Sequence, residues 1–288
     1  MYEIKKQYQQ NIVLRKSFEA LAMRTFHLDF EDWYQHGFWK DDYIPYSIVI
    51  NDKVIANVSV NVMNMSYEQK DIRLLQLGTI MCERAYRNQG YIRELMKEIE
   101  HDYQGKIDGF YLFANDEVVN FYPKFEYHMQ KEYQYYVPVC HTKPRTITKI
   151  PMDSYALWMQ LYNVIETSIP YSKFHMTSNM GLYMFYVTKF MQDCVFYHEA
   201  LKVYVVAQIK DNTAYIHAIF SKESYNMSDI IESFGPIIKE VVFTFTPLHT
   251  DSYICREVRE EDTTLFVKGE FFETFDQRKL MFPDISHA

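Results

Sequence analysis

The sequence predicts an α/β (α+β) protein built in two successive halves, and three observations carry that reading. The chain has 288 residues, enough for two domains. Residues 137–154, VPVCHTKPRTITKIPMDS, hold three prolines, are locally basic and read as a linker. The order of helical and extended segments before that linker returns in coarse form after it.

The first half opens with NIVLRKSFEALAMRTF (11–26), which puts Ile12, Leu14, Phe18, Leu21 and Met23 near one side of a helix. A loop or short helix follows at 27–45, where Trp33, Tyr34, Phe38 and Trp39 alternate with acids. Those rings suit either a packed helix face or a cation site. Residues 46–52 and 53–65 read as a hairpin turning at Asn51-Asp52, and 73–82 as a third strand. Residues 92–103 form a helix with Ile92, Leu95, Met96 and Ile99 on one side. GFYLFA (109–114) is a short buried strand, and 115–125 a short helix capped by Asn115 or Asp116 and strained near Pro123. Residues 131–139 are extended. In the second half, helices are expected over 154–167, 179–193 and 227–235. Strands are expected over 194–221, turning at Asp211-Asn212, and over 240–247 and 263–269.

Composition narrows the function. The net charge is −8, and 12 basic against 18 acidic residues after Arg145 place most of it in the second half. A nucleic-acid partner needs a basic face and is not expected. Cationic acceptors such as amines are compatible with this charge. Cys82, Cys140, Cys194 and Cys255 lie far apart, and the ten histidines show no ligand spacing, so neither a metal nor a disulfide framework is expected. The N-terminus has no apolar signal core, and no run of 18 apolar residues occurs. A cytoplasmic location without membrane contact is expected, and homo-oligomerisation is left open.

One turn stands out. With only 8 glycines in the chain, Gly90 lies in ERAYRNQGYIRELM (83–96), between a strand and a helix. A helix N-terminus offers unpaired N–H groups, and glycine lets a ligand approach the backbone. Arg87, Asn88, Gln89, Gly90, Tyr91 and Ile92 therefore make an anion cradle. The helix dipole contributes only about 0.3–1 kcal/mol, so several N–H bonds must supply the rest.

Arg87-x-x-Gly90-x-Ile92 resembles the Q/R-x-x-G-x-G/A acyl-CoA motif of the GCN5-related N-acetyltransferases (GNAT). Residues 115–127, NDEVVNFYPKFEY, are similar to that superfamily's N-x-x-A-x-x-F-Y-x-K-x-G-F signature through Asn115, Phe121, Tyr122 and Lys124. Val118, Glu126 and Tyr127 depart from it, and Ile92 replaces a small residue of the first motif. The resemblance covers about residues 1–136, and two motifs in order are more specific than either alone. It implies a mixed, mostly antiparallel sheet flanked by helices. A two-domain bacterial branch is implied too, some members of which carry a C-terminal domain ending in the active site. The implied division is an acetyl-CoA-binding domain at 1–140 and a degenerate GNAT-like α+β domain at 147–288.

The resemblance also implies roles. Acetyl-CoA is the co-substrate, with its pantetheine arm beside Ile80, Met81 and Cys82 and its pyrophosphate on residues 87–92. Asn115 either caps its helix alone or both caps it and contacts the cofactor. Tyr122 is the general acid for the leaving thiolate, lying seven residues from Asn115 and so on the same helical side. A phenol near 10 and a thiol near 8.5 make full transfer uphill by about 2 kcal/mol, so hydrogen bonding to sulfur matters more. The base that takes the amine proton is sought in Glu83, in Asp29, Glu31 or Asp32, and in the C-terminal Ala288 carboxylate or His287. The expected reaction is direct attack by a small-molecule or peptide amine on acetyl-CoA in a ternary complex. The alternatives are a non-catalytic acyl-CoA-binding or sensing protein and a peptidoglycan-type aminoacyl transferase.

Overall fold

The computed structural model describes residues 1–287 apart from His141 and Arg259. Its first elements are β1 (Glu3–Lys6), α1 (Ile12–Phe26), α2 (Glu31–Gln35), β2 (Tyr43–Ile50), β3 (Lys53–Tyr67) and β4 (Lys70–Cys82). They continue with α3 (Tyr91–Tyr103), β5 (Gly109–Ala114), β6 (His128–Met129) and β7 (Tyr133–Pro138). Next come β8 (Thr148–Lys149), α4 (Tyr155–Ile165), β9 (Phe174–Met176) and α5 (Met180–Phe185), which runs into a π turn at Tyr186–Phe190. The chain then forms β10 (Val195–His198), β11 (Val203–Lys210), β12 (Thr213–Phe220), α6 (Met227–Glu232), β13 (Glu240–Phe243), β14 (Ile254–Glu257) and β15 (Thr264–Lys268).

Two mixed sheets result, mostly antiparallel and flanked by helices. The first runs β1-β2-β3-β4-β5-β15-β6, with β9 added to the far end of β3. The second runs β14-β7-β13-β12-β11-β10-β8. Each has one parallel pair, β4–β5 around α3 and β12–β13 around α6, as a strand–helix–strand crossover requires. The segment between β12 and α6 contains no glycine, so the second sheet has no counterpart of the Gly90 turn.

The two sheets exchange strands. β7, early in sequence, pairs with β13 and β14 of the second sheet. β15, late in sequence, fills the position between β5 and β6 of the first. Both therefore tie the two halves together through backbone hydrogen bonds.

Local chemistry explains the frame. Asn11 caps α1 by accepting from the Val13 and Leu14 amides, and His27 ends it in a left-handed conformation. Leu14, Phe18 and Leu21 are buried under the sheet, whereas Ile12 and Met23, expected on the same side, are exposed. Asn51 and Asp52 both have positive φ, which fits the twist of the β2–β3 hairpin. The rings of 27–45 form core: Trp33 stacks on Trp39 at 5.5 Å, and Phe30 on Phe185 at 5.6 Å. That core reading prevails over the cation site. Trp33 Nε1 donates to the Gly181 carbonyl at 2.7 Å, and a Cβ on Gly181 would lie 2.3 Å from the Phe38 carbonyl oxygen. α5 is thereby seated against the first half.

Two expected helices are corrected. Residues 115–125 form two separate 3-10 turns, Asp116–Val118 and Tyr122–Phe125, the second with proline in its first turn. The 179–193 helix is α-helical only through Phe185 before widening into the π turn. No helix among the described residues is long and apolar enough to cross a membrane.

Candidate functional site

The site begins where β4 and β5 part. They pair in parallel only at Leu74, Leu75 and Gln76, against Gly109, Phe110 and Tyr111. β4 continues to Cys82 along β3, while β5 turns its other edge to β15 through Ala114. Ile80, Met81 and Cys82 thus lie on a stretch of β4 with no strand on its β5 side, which leaves main-chain groups needing partners.

A bulge sits in the same stretch. Gly78 pairs with Ser59 and Met81 with Asn57, so Thr79 and Ile80 together oppose Val58. Thr79 has φ 47°, an unusual conformation for a β-branched residue, costing about 1–3 kcal/mol. Its surroundings hold it there. Its hydroxyl meets the Tyr43 hydroxyl at 2.5 Å, and its carbonyl accepts from Asn57 Nδ2 at 2.9 Å. Asn57 is itself fixed by Ser47 and Ser59. The bulge turns peptide groups out of the β3 ladder at the splay.

The open edge leads into the glycine turn. After the 3-10 turn Arg84–Tyr86, Asn88 and Gly90 take positive φ, and α3 starts at Tyr91. No side chain caps α3, so its first amides have no partner within the helix. A Cβ on Gly90 would meet nothing within 4 Å, so the glycine faces open space. Arg87 is exposed, and its Nε donates to the Cys82 carbonyl at 3.3 Å, joining the turn to the end of β4.

These features coincide with a sequence match: residues 10–127 match the acetyltransferase (GNAT) family. This stretch is a GNAT acetyltransferase domain. The solved structures extend the likeness in fold. A conserved Enterococcus faecalis V583 protein of unknown function aligns with TM-score 0.61 at 14% identity, over 96% of this chain and 74% of its own. A GCN5-related N-acetyltransferase from Kribbella flavida gives 0.55 at 11%, over 92% and 71%. Eis1 from Mycobacterium abscessus gives 0.54 at 10%, over 92% and 73%. No curated protein sequence matches the chain.

Within the GNAT domain the remaining expected residues differ in surroundings. Tyr122 is buried against Phe266 at 5.5 Å and Phe121 at 5.4 Å, and burial pushes its phenol up to about 12. The phenol therefore keeps its proton near neutral pH. Asn115 is exposed and does not cap the following turn; its Nδ2 donates to Asp262 Oδ2 at 2.9 Å. Asp262, from the second half, performs the cap, with Oδ1 accepting from the Asp116 amide at 2.7 Å. The two-turn helix expected to align Asn115 with Tyr122 does not form.

Glu83 is corrected as a base. It lies 2.5 Å from Arg24 and 2.9 Å from Lys53, and these partners, Lys53 first, hold its carboxyl below the usual range. A carboxylate so stabilised is a weak proton acceptor. Asp29 and Glu31 are likewise engaged by Lys189 and Lys16. The Cys82 thiol is raised by desolvation, which disfavours a thiolate.

The C-terminal tail reaches the splay from the other side. Phe282 stacks on Tyr111 at 4.1 Å, and His287 stacks on Phe113 at 3.7 Å. Tyr186, the first residue of the π turn, donates to the His287 carbonyl at 2.5 Å. Glu132 Oε1 accepts from the Phe282 amide at 2.7 Å, and burial pushes this carboxyl up to about 8. The near-neutral His287 expected from sequence is corrected: desolvation lowers it to about 4, leaving the ring uncharged at pH 7. Ala288 lies outside the described residues. Among the described residues no metal-ligating cluster is found. A cavity of about 1180 Å³ lies at the opposite end of β4 and β5, between Asp71, Tyr103 and Arg278, away from the splay.

Sequence reasoning missed the tail's anchors. Tyr111, Phe113, Glu132 and Tyr186 are ordinary strand and helix residues by pattern, and their role depends on contacts across more than 100 residues, such as Tyr186 with His287.

Proposed function

We propose that the protein transfers an acetyl group from acetyl-CoA to a primary amine. The observation that carries this reading is the continuous path from the open β4 edge at residues 80–82 into the uncapped, glycine-led start of α3. The backbone at Ile80, Met81 and Cys82 pairs with the pantetheine arm. The amides of Asn88, Gln89, Gly90, Tyr91 and Ile92, with Arg87, hold the pyrophosphate. Asn115 lies at the end of β5 and contacts the cofactor only if Asp262 releases it.

The amine nitrogen attacks the thioester carbon, the C–S bond breaks, and the leaving sulfur takes a hydrogen bond or proton from Tyr122. Burial keeps the phenol protonated, so Tyr122 acts by donating a hydrogen bond to the sulfur and not as a base. The displaced amine proton passes to water beside the docked tail, so the products are the amide and free CoA thiol. No covalent enzyme intermediate is required. We also propose that the cofactor-binding unit is residues 1–140 and that 147–288 closes the acceptor side while lending β15 to the first sheet.

Thiol release is the assay. Wild type incubated with acetyl-CoA and primary amines releases CoA only when an amine is present. Binding of acetyl-CoA without amine-dependent release contradicts transfer and leaves the sensing alternative.

A further inference from the structure

One row of four residues crosses the first sheet. Tyr43 on β2 is the register partner of Asn61 on β3, Asn61 of Gln76 on β4, and Gln76 of Tyr111 on β5. Register partners share a face, so the two amides lie side by side between two tyrosines. All four are buried, Asn61 at 2% exposure and Gln76 at 1%. The tyrosine hydroxyls are engaged, Tyr43 with Thr79 and Tyr111 with the Ser286 carbonyl. The amide oxygens are not: Asn61 Oδ1 and Gln76 Oε1 have no partner among the described residues.

Buried polar atoms nearly always find partners, so two adjacent exceptions need a cause. Their place supplies one. Gln76 is the last β4 residue paired with β5, so it marks the apex of the splay. Tyr111, next in the row, is covered by Phe282 of the docked tail. The two amides therefore stand in the row that meets the splay at Gln76 and the docked tail at Tyr111.

We propose that Asn61 and Gln76 are the floor of the acceptor site and select a neutral primary amine carrying a neighbouring hydroxyl, an amino alcohol. This rests on the acetyl-transfer reading. Carboxamides carry no charge to stabilise an ammonium, but each offers an acceptor oxygen and donor hydrogens. The two oxygens accept the two N–H bonds of the neutral amine and leave its lone pair free for the carbonyl carbon. The amide NH₂ groups donate to the neighbouring hydroxyl. The new C–N bond forms as C–S breaks, and the proton lost by nitrogen after attack balances the one that the leaving thiolate takes up from water or Tyr122.

The test uses Asn61→Leu and Gln76→Met, near-isosteric changes that remove the amides. The probes are 2-amino-2-deoxyglucose and cyclohexylamine, the same ring size with and without hydroxyls. Wild type is expected to prefer the amino sugar by about tenfold or more in kcat/KM, as sites built on hydrogen bonds do. Each variant is expected to lose that preference and about tenfold of its activity, with acetyl-CoA affinity within about twofold of wild type. Thermal stability should hold or rise, because an apolar replacement removes an unsatisfied group. Variants that melt lower yet keep both activity and preference overturn the inference and make the amides structural. Wild type that transfers to cyclohexylamine equally well, or to neither probe while binding acetyl-CoA, overturns the acceptor class. Failure to bind acetyl-CoA overturns the transfer reading itself.

Discussion

His287 lies face to face with Phe113, their ring centroids 3.7 Å apart, two residues beyond the row where β4 and β5 separate. The last described residue of the chain is therefore packed on the splay. His287→Ala removes this stack and is expected to lower amine-dependent CoA release by about tenfold or more, because a displaced wall misplaces the reacting amine. Acetyl-CoA affinity should change by less than about twofold. Unchanged turnover with a good acceptor would separate the tail from the chemistry.

Tyr122→Phe removes one hydroxyl from a buried ring and keeps its packing on Phe266. The expected result is a fall in kcat of about 10² with acetyl-CoA binding retained, as for loss of one stabilising donor. Steady-state kinetics beside a binding titration check it. Equal losses in both would assign Tyr122 to cofactor seating.

The tail's anchors give the protein a defined pH response. The Glu132 carboxyl, ordinarily at 4.5, is raised to about 8, so between these values the folded protein holds a proton that the unfolded chain has released. Stability therefore falls as pH rises through that window. Glu132→Gln keeps an acceptor for the Phe282 amide without the charge, and is expected to melt higher than wild type above pH 8. His287 works in the opposite direction. Its value drops from 6.5 to about 4, so the unfolded chain binds the extra proton, and stability falls as pH drops through that interval. Thermal melts across the pH range check both signs.

Asp262→Ala tests the tie between the halves. It removes the cap on Asp116–Val118 and the partner of Asn115. Loss of a cap costs about 0.5–2 kcal/mol. A lower melting temperature is expected, and a stability equal to wild type would show that solvent replaces the cap.

Much of this arrangement is legible in the sequence where it is local. Asn51-Asp52 announces its hairpin because few other residues accept two positive φ values in succession. Gly90 announces the cradle because its φ of 87° disfavours other side chains. What escapes is non-local. Residues 131–139 read as a strand, but nothing in them says that Val241 and Val242, rather than the first sheet, supply partners for Tyr136 and Val137. Residues 3–6, EIKK, are too short and charged to read as a strand, yet they pair with β2 as an edge. Asn57, Ser59 and Asn61 alternate with valines, a pattern of one wet face. That face is instead buried, so alternation alone misplaces the polar strip at the splay.

The central claim is that the β4 edge and the start of α3 hold acyl-CoA, and calorimetric titration with acetyl-CoA, with CoA as comparison, tests it most directly. Saturable micromolar binding is expected, abolished in an Arg87→Ala/Gly90→Asp double variant that stays folded. The new carboxylate would occupy the open space before α3 and repel the pyrophosphate. No binding by wild type at millimolar ligand would contradict the account, leaving the GNAT domain as a fold whose cofactor site is closed.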